Sequence, residues 1–216
     1  MIAKIVSLNL ATPAPMEWEG KSIISSMLRH SVPGPLQVHK THVEGNSFKD
    51  PHLHGVEHAV LYAYVIKSAL TFMKLLGRNV YEPGAVGETL TLDDFDETKI
   101  SVGDIFQIGE VRAQAVYPRI PCGKVNFRMQ HPEGQKSMQK CGRSGVYFRI
   151  LQPGKILLTD EVRLIEPAIH RMSISDLYHK MVHQIQLDPN EMKLALANGA
   201  FPQKAIDKFQ KLLSES

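Results

Sequence analysis

The chain has 216 residues, 43% of them hydrophobic and 22% charged, with a formal net charge of +3. That is the profile of an ordinary folded domain, long enough to bury roughly 70% of its unfolded surface. The small positive excess gives no footprint for nucleic acid or membrane binding, and two cysteines cannot build a disulfide framework.

The opening stretch "MIAKIVSLNLATPAPMEWEG" has one lysine inside a short apolar run and lacks the pattern of a signal peptide. No segment approaches the roughly 20 apolar residues of a membrane span. The expectation is a cytoplasmic protein with reduced thiols.

In chain order, "AKIVSLNL" predicts a first strand. "PGPLQVHKTHVEGN" alternates loosely and ends in a Gly-Asn turn. "EHAVLYAYVIKSALTFMKLLG" predicts one long helix. Its apolar face is Ala59, Tyr62, Ala63, Ile66, Ala69, Leu70 and Met73, and Gly77 is its stop. That face reads as core rather than a cofactor box. "GETLTL", "GDIFQIG", "EVRAQAVY", "SGVYFRIL", "GKILLTD" and "EVRLIE" follow as short runs bounded by Gly, Pro or Asp. Many short strands with few helices between them predict a mainly β fold, an antiparallel barrel or sandwich.

The character changes near residue 170. "SISDLYHKMVH" starts a helix at Ser173 or Ser175. "LDPNEMKLALANG" has Asp188 as N-cap, Pro189 at N1, Glu191 at N3 and Gly199 past its end. "PQKAIDKFQKLLS" carries Ile206, Phe209, Leu212 and Leu213 at helical spacing. Each helix is too short to stand alone, so the tail packs either on its own barrel or across a homodimer. From His170 onward six Lys and Arg face five Asp and Glu, a poor footprint for a DNA-reading helix-turn-helix. The domains predicted are residues 1–169, a β-barrel, and 170–216, a small three-helix unit.

Cys122 is the leading candidate for chemistry. It lies in "YPRIPCGKV", where Pro118 and Pro121 stiffen the chain and Arg119 and Lys124 flank the thiol. Cysteine acts as nucleophile or soft-metal ligand in its thiolate form, which nearby cations favour. The same residues also fit a cysteine that merely packs in a proline turn, and Cys141 in "QKCGRSG" reads as incidental. In "HLHGVEH", His52, His54 and His58 with Glu57 are an irregularly spaced candidate for zinc, and a single pocket-lining histidine fits as well. In "EPGAVGETLTL", Gly84 and Gly87 suit either a backbone close to a ligand or a tight turn. Glu88 suits a base or an arginine partner. In "GRSGVYFRI", Ser144 with Arg143 and Arg149 fits an anion site, and a hairpin turn fits better.

Together these stretches resemble MOSC domains, named for the C-terminal domain of molybdenum cofactor sulfurase. "VGDIFQIGEVRAQAVYPRIPCGKV" is similar to that family's central segment, with Gly103, Asp104, Ile108, Gly109 and the Pro-Arg-x-Pro-Cys run ending at Cys122. "EGNSFKDPHLHGVEHAVLYAY", "PGAVGETLTL" and "GRSGVYFRILQPGKILLTDEVRL" resemble three further blocks in the same order, and the tail resembles the three-helix "3-alpha" domain of stand-alone bacterial members. Cys122, Arg119, His54 and Glu88 keep the family's residues. Asn46, Val56, His58, Val86, Thr89 and Gly123 depart from them.

The resemblance implies a barrel like that of pyruvate kinase, with a cleft holding the cysteine. It implies one of two roles for Cys122. In one, the thiolate ligates molybdenum of the pterin cofactor and the metal reduces N-hydroxylated compounds such as hydroxylaminopurines. In the other, it carries sulfur as a persulfide received from a pyridoxal-phosphate-dependent cysteine desulfurase. A pterin- or anion-binding module without turnover is a third reading. Under the first, His54 and Glu88 handle protons, and Arg119, Lys124, Gly55, Gly87 and Ser144 hold cofactor or substrate. Electrons then come from a separate reductase, since no flavin, nicotinamide or iron–sulfur motif is visible.

Overall fold

A computed structural model describes residues 1–49 and 57–215. The strands are β1 (Ile2–Leu10), β2 (Ala14–Trp18), β3 (Lys21–Ser25), β4 (His30–Val32), β5 (Leu36–Val38), β6 (Leu61–Val65), β7 (Leu90–Leu92), β8 (Ile105–Ile108), β9 (Val111–Pro118), β10 (Val146–Gln152), β11 (Gly154–Ile156) and β12 (Glu161–Glu166). The helices are α1 (Ile66–Leu75), α2 (Lys124–Met129), α3 (Gly134–Cys141), α4 (Ile174–Val182), α5 (Pro189–Asn198) and α6 (Gln203–Ser214). No helix among the described residues is long and apolar enough to cross a membrane.

Seven strands run in the order β12-β8-β9-β10-β6-β7-β1, and pairing of β1 with β12 closes them into a barrel. β4 adds to the outer edge of β1. All pairs are antiparallel except β6 with β7. Closure leaves few free edges, which lets strands of three to nine residues hold a stable sheet.

The predicted helix over 57–77 is corrected in its first half. Residues 61–65 form β6, between β10 and β7, and α1 begins only at Ile66. All five β6 residues are buried, so an apolar run covered on both faces matched a helical pattern that periodicity alone does not distinguish from a strand. Tyr62 and Ala63, assigned to one helical face, point to opposite sides of the sheet and join different cores. Ala69 and Met73 do share a buried face of α1.

Five elements, β2, β3, β4, α2 and α3, have no counterpart in the expectations. β2 and β3 form a hairpin whose turn, Glu19-Gly20, has positive φ at both residues, the primed geometry that suits a two-residue loop. α2 and α3 follow Cys122 and pack on each other and on α1 and β2.

The protein has two apolar cores. The larger fills the barrel with Leu8, Phe106, Ile108 and Phe148, and continues into Leu177 and Met192 of the C-terminal helices and Leu187 and Phe201 of the connections before α5 and α6. The smaller lies outside the barrel, with Tyr64, Phe72, Val125 and Met138. The tail therefore packs on its own barrel. Ile174 N–H donates to Ile100 O at 2.9 Å, Asn198 Nδ2 donates to Val102 O at 2.6 Å, and Arg171 pairs with buried Asp104 at 3.1 Å. The predicted caps are present: Ser173 accepts from Asp176 N–H, and Asp188 with Glu191 forms a capping box.

Candidate functional site

The barrel opens on one side into a cavity of about 460 Å³. Four stretches wall most of it: Ser25–Arg29 after the hairpin, Ala59–Tyr62 entering β6, Val86–Thr89, and the end of β9 with the chain that follows it; Phe48, Lys49 and Tyr147 complete the lining. β9 ends at Pro118, because proline has no N–H to continue the ladder. The next five residues turn directly into α2, with Val125 N–H donating to Cys122 O at 3.0 Å and Gln135 Nε2 to Pro121 O at 3.1 Å. These bonds hold the loop from behind and leave the Cys122 side chain exposed at the cavity.

Four cations line the cavity with Cys122: Arg29, Lys49, Arg119 and Lys124. Arg119 is buried. Its Nη1 donates to Met138 Sδ at 3.1 Å, and its guanidinium sits 5.6 Å from the Tyr62 ring centre. Arg29 is buried too. It donates to Asn9 O at 3.2 Å and Asn46 Oδ1 at 3.1 Å, while its Nε has no partner among the described residues. Burial pushes the Arg29 guanidinium down to about 10, against an opposing pull from Glu88. Among the described residues, the arginine ion pairs belong to Arg112, Arg128, Arg143, Arg163 and Arg171. Neither pocket arginine has one among the described residues. Two buried guanidiniums without a carboxylate partner there are a costly arrangement that an anionic ligand would neutralise.

Tyr62, Tyr147 and Tyr117 form a ring-to-ring row along one wall, with centroids 5.0 and 5.1 Å apart. Burial pushes all three hydroxyls up, so they stay neutral. Tyr117 also borders a second, apolar cleft of about 650 Å³ between α4 and α6.

Of the residues singled out in the sequence, Cys122, Arg119, Lys124 and Gly87 meet at this cavity. Gly87 has φ +87°, a conformation that favours glycine. Glu88 lies behind the Val86–Thr89 wall, fully buried. It accepts from Tyr81 Oη (2.7 Å), Gly84 N–H (2.6 Å), Val86 N–H (3.2 Å) and Thr91 Oγ1 (2.8 Å). Burial pushes its carboxyl up while those donors pull it down. Ser144 is also buried and does not face the cavity; its hydroxyl donates to Arg119 O. His58 packs on Tyr117 at 5.6 Å, and burial lowers its pKa. His52, His54 and Gly55 lie outside the described residues. Among the described residues no group of three or more His, Cys, Asp or Glu is placed to hold a metal ion.

Sequence reasoning missed Arg29, Lys49 and the tyrosine row. A lone arginine after a hairpin carries no local signal, and Tyr62 was absorbed into the expected helix. The arrangement as built can bind an anion of high charge beside an accessible thiol.

The MOSC domain family model matches residues 50–163. A crystal structure of YiiM from Geobacillus stearothermophilus superposes with a TM-score of 0.77 and 28% identity, covering 98% of this chain and 99% of that one. YflK of Bacillus subtilis is 28% identical over 152 residues, 70% of this chain and 68% of that protein. A protein named as a reductase from Gibberella moniliformis is 32% identical over 97 residues, 44% of this chain and 17% of that protein.

Proposed function

We propose that this chain, which belongs to the MOSC domain family, holds a molybdenum-pterin cofactor and serves as the substrate-reducing component for N-hydroxylated compounds such as hydroxylaminopurines. One observation carries the reading: an exposed thiol, Cys122, shares a cavity with two buried guanidiniums that have no carboxylate partner among the described residues.

The donor set fits such a group. A single soft sulfur suits a metal whose remaining ligands arrive with its own cofactor, and no all-protein cage is present among the described residues. Arg29 and Arg119, with Lys49 and Lys124 at the rim, suit the cofactor's phosphate. The Nε of Arg29, which has no acceptor among the described residues, is a donor that an anion could satisfy. When bound, the cofactor supplies the two-electron redox centre. The chain's own part is to present the Cys122 thiolate, anchor the anionic end, and offer the neutral Tyr62–Tyr147–Tyr117 row as a flat apolar wall for a planar substrate. Electrons come from a separate reductase.

The test is metal content after expression in a host that makes the cofactor. Molybdenum should co-purify near one atom per chain and vanish in Cys122→Ser. Wild-type protein without molybdenum would overturn the reading. The exposure of Cys122 also favours a second reading, a persulfide carrier. That reading predicts a gain of one sulfur atom on Cys122 after anaerobic incubation with a cysteine desulfurase and its substrate. An unchanged mass would count against it.

A further inference from the structure

Glu97 does not touch the cavity, yet its bonds converge on the segment that holds Arg119. It lies in the loop after β7, 2% exposed. Its Oε2 accepts from the backbone N–H groups of Ser144 (3.1 Å) and Gly145 (3.2 Å), and its Oε1 accepts from Ser68 Oγ on α1 (3.3 Å). The turn so gripped makes two further bonds. Ser144 Oγ donates to Arg119 O, and Tyr62 Oη donates to Ser144 O at 2.6 Å. Tyr62 is the ring under the Arg119 guanidinium. One carboxyl therefore fixes both the backbone of Arg119 and the platform beneath its charge. Gly145 presses the turn onto β6 at φ +80°, where a Cβ would lie 2.2 Å from Ala63 O.

We propose that Glu97 is the positioning residue of the anion pocket, and that its gain or loss of a proton sets how firmly Arg119 is held and so how tightly the pocket binds an anion. The proposal rests on the anion-binding part of the function above. The ionised carboxylate offers Oε2 as a charge-assisted acceptor, about twice as strong as a neutral one. A proton on Oε1 donates to Ser68 Oγ, whose hydroxyl rotates to accept it, and Oε2 becomes a neutral, weaker acceptor. Anion affinity then falls as pH falls.

Burial pushes the Glu97 carboxyl up to about 7, against the pull of its Gly145, Arg143, Ser144 and Ser68 neighbours. The other groups around it do not titrate near neutrality. Cys141 is pushed up by burial, as are Tyr62, Tyr64 and Tyr178. Asp96, which meets Arg143 at 3.5 Å, is pulled down to about 2, chiefly by its Thr98 hydrogen bond. Next to the pocket, His58 works in the opposite sense, since its protonation would favour anions at low pH.

The experiment uses the full chain and two readouts. In the first, backbone amide chemical shifts of Arg119, Cys122, Ser144 and Gly145 are followed by NMR from pH 5.5 to 8.5. A common midpoint near 7 is expected in wild type and its absence in Glu97→Gln, whose amide reproduces the protonated acid. In the second, the affinity for sulfate, which stays a dianion across this range, is measured at pH 6 and pH 8. Wild type should bind at least about fivefold more tightly at pH 8, and sulfate should lower the amide midpoint by linkage. Glu97→Gln should show the weak affinity at both values. Ser144→Ala, which cuts one bond between the turn and Arg119, should lose most of the pH effect while Glu97 still titrates. Arg119 and Cys122 amides that ignore the Glu97 titration, or a Glu97→Gln sulfate profile parallel to wild type, would overturn the proposal. If sulfate does not bind at any pH, the anion-pocket reading fails, and the amide titrations still decide whether Glu97 controls Arg119.

Discussion

Replacing Arg29 with methionine should stabilise the ligand-free protein and weaken anion binding. The Arg29 guanidinium is 8% exposed, and its Nε has no partner among the described residues. Burial pushes it down to about 10, which at about 1.4 kcal/mol per pH unit is a cost of about 3 kcal/mol for keeping it charged. Methionine keeps the apolar stem and removes the charge, while Asn9 O and Asn46 Oδ1 lose a donor and return part of that gain. A net gain of about 1–2 kcal/mol follows, or a rise in Tm of about 2–8 °C for a chain of this size. The assay is thermal unfolding in buffer free of phosphate and sulfate, repeated over a sulfate titration. Wild type should gain Tm with the logarithm of sulfate concentration, and Arg29→Met should start higher and respond less. A variant that unfolds below wild type without sulfate would refute the reasoning, because it would mean the buried charge is compensated within the fold.

Glu97 also predicts a stability profile. Its folded value, raised to about 7 by burial, stands above the ordinary glutamate range, so its contribution is fully present below about pH 4.5 and is lost as pH rises through 7. Urea unfolding should show about 3 kcal/mol less stability at pH 8 than at pH 4.5 from this group; a Glu97→Gln profile with the wild-type slope would contradict it. Gly145→Ala should cost about 3 kcal/mol or more, from positive φ and the collision with Ala63 O, and a variant within about 1 kcal/mol of wild type would be inconsistent with the turn described. Under native conditions a thiol reagent should label Cys122 well before Cys141. Cys141 is half-buried, pushed up by burial and directed at Ser68 O. Equal labelling rates of the folded protein would rule out that difference in access.

The barrel strands were legible because they are short and bounded by turn residues; β12 spans the quoted "EVRLIE". The C-terminal helices were legible through their caps. β6 was not, because it is buried on both faces and runs into α1 without a breaking residue. α2 and α3 were missed for the opposite reason: neither has a side-chain N-cap, and both are short. At the site, the Pro-Arg-Ile-Pro-Cys run marked Cys122 and Arg119 directly. Arg29 arrives from a distant hairpin by register, which local sequence does not encode. Glu97, in the polar run "DDFDETK", looks like a solvated loop residue and is buried only because α1 and the 144–145 turn bring donors to it from afar.

The cavity lies on the boundary between the two cores. Val60 belongs to the barrel core, while Met27, Tyr62 and Val86 belong to the outer one. Two packed bodies that meet along a line can separate along it without either dissolving. The outer core can open as a sub-global unit, releasing the cysteine loop and both arginines, while the barrel and the three C-terminal helices keep their amides protected from solvent exchange. A ligand bridging Arg29 and Arg119 stitches that boundary. Its grip should appear as slowed exchange in α1, α2 and α3, ahead of any change in the global stability of the barrel.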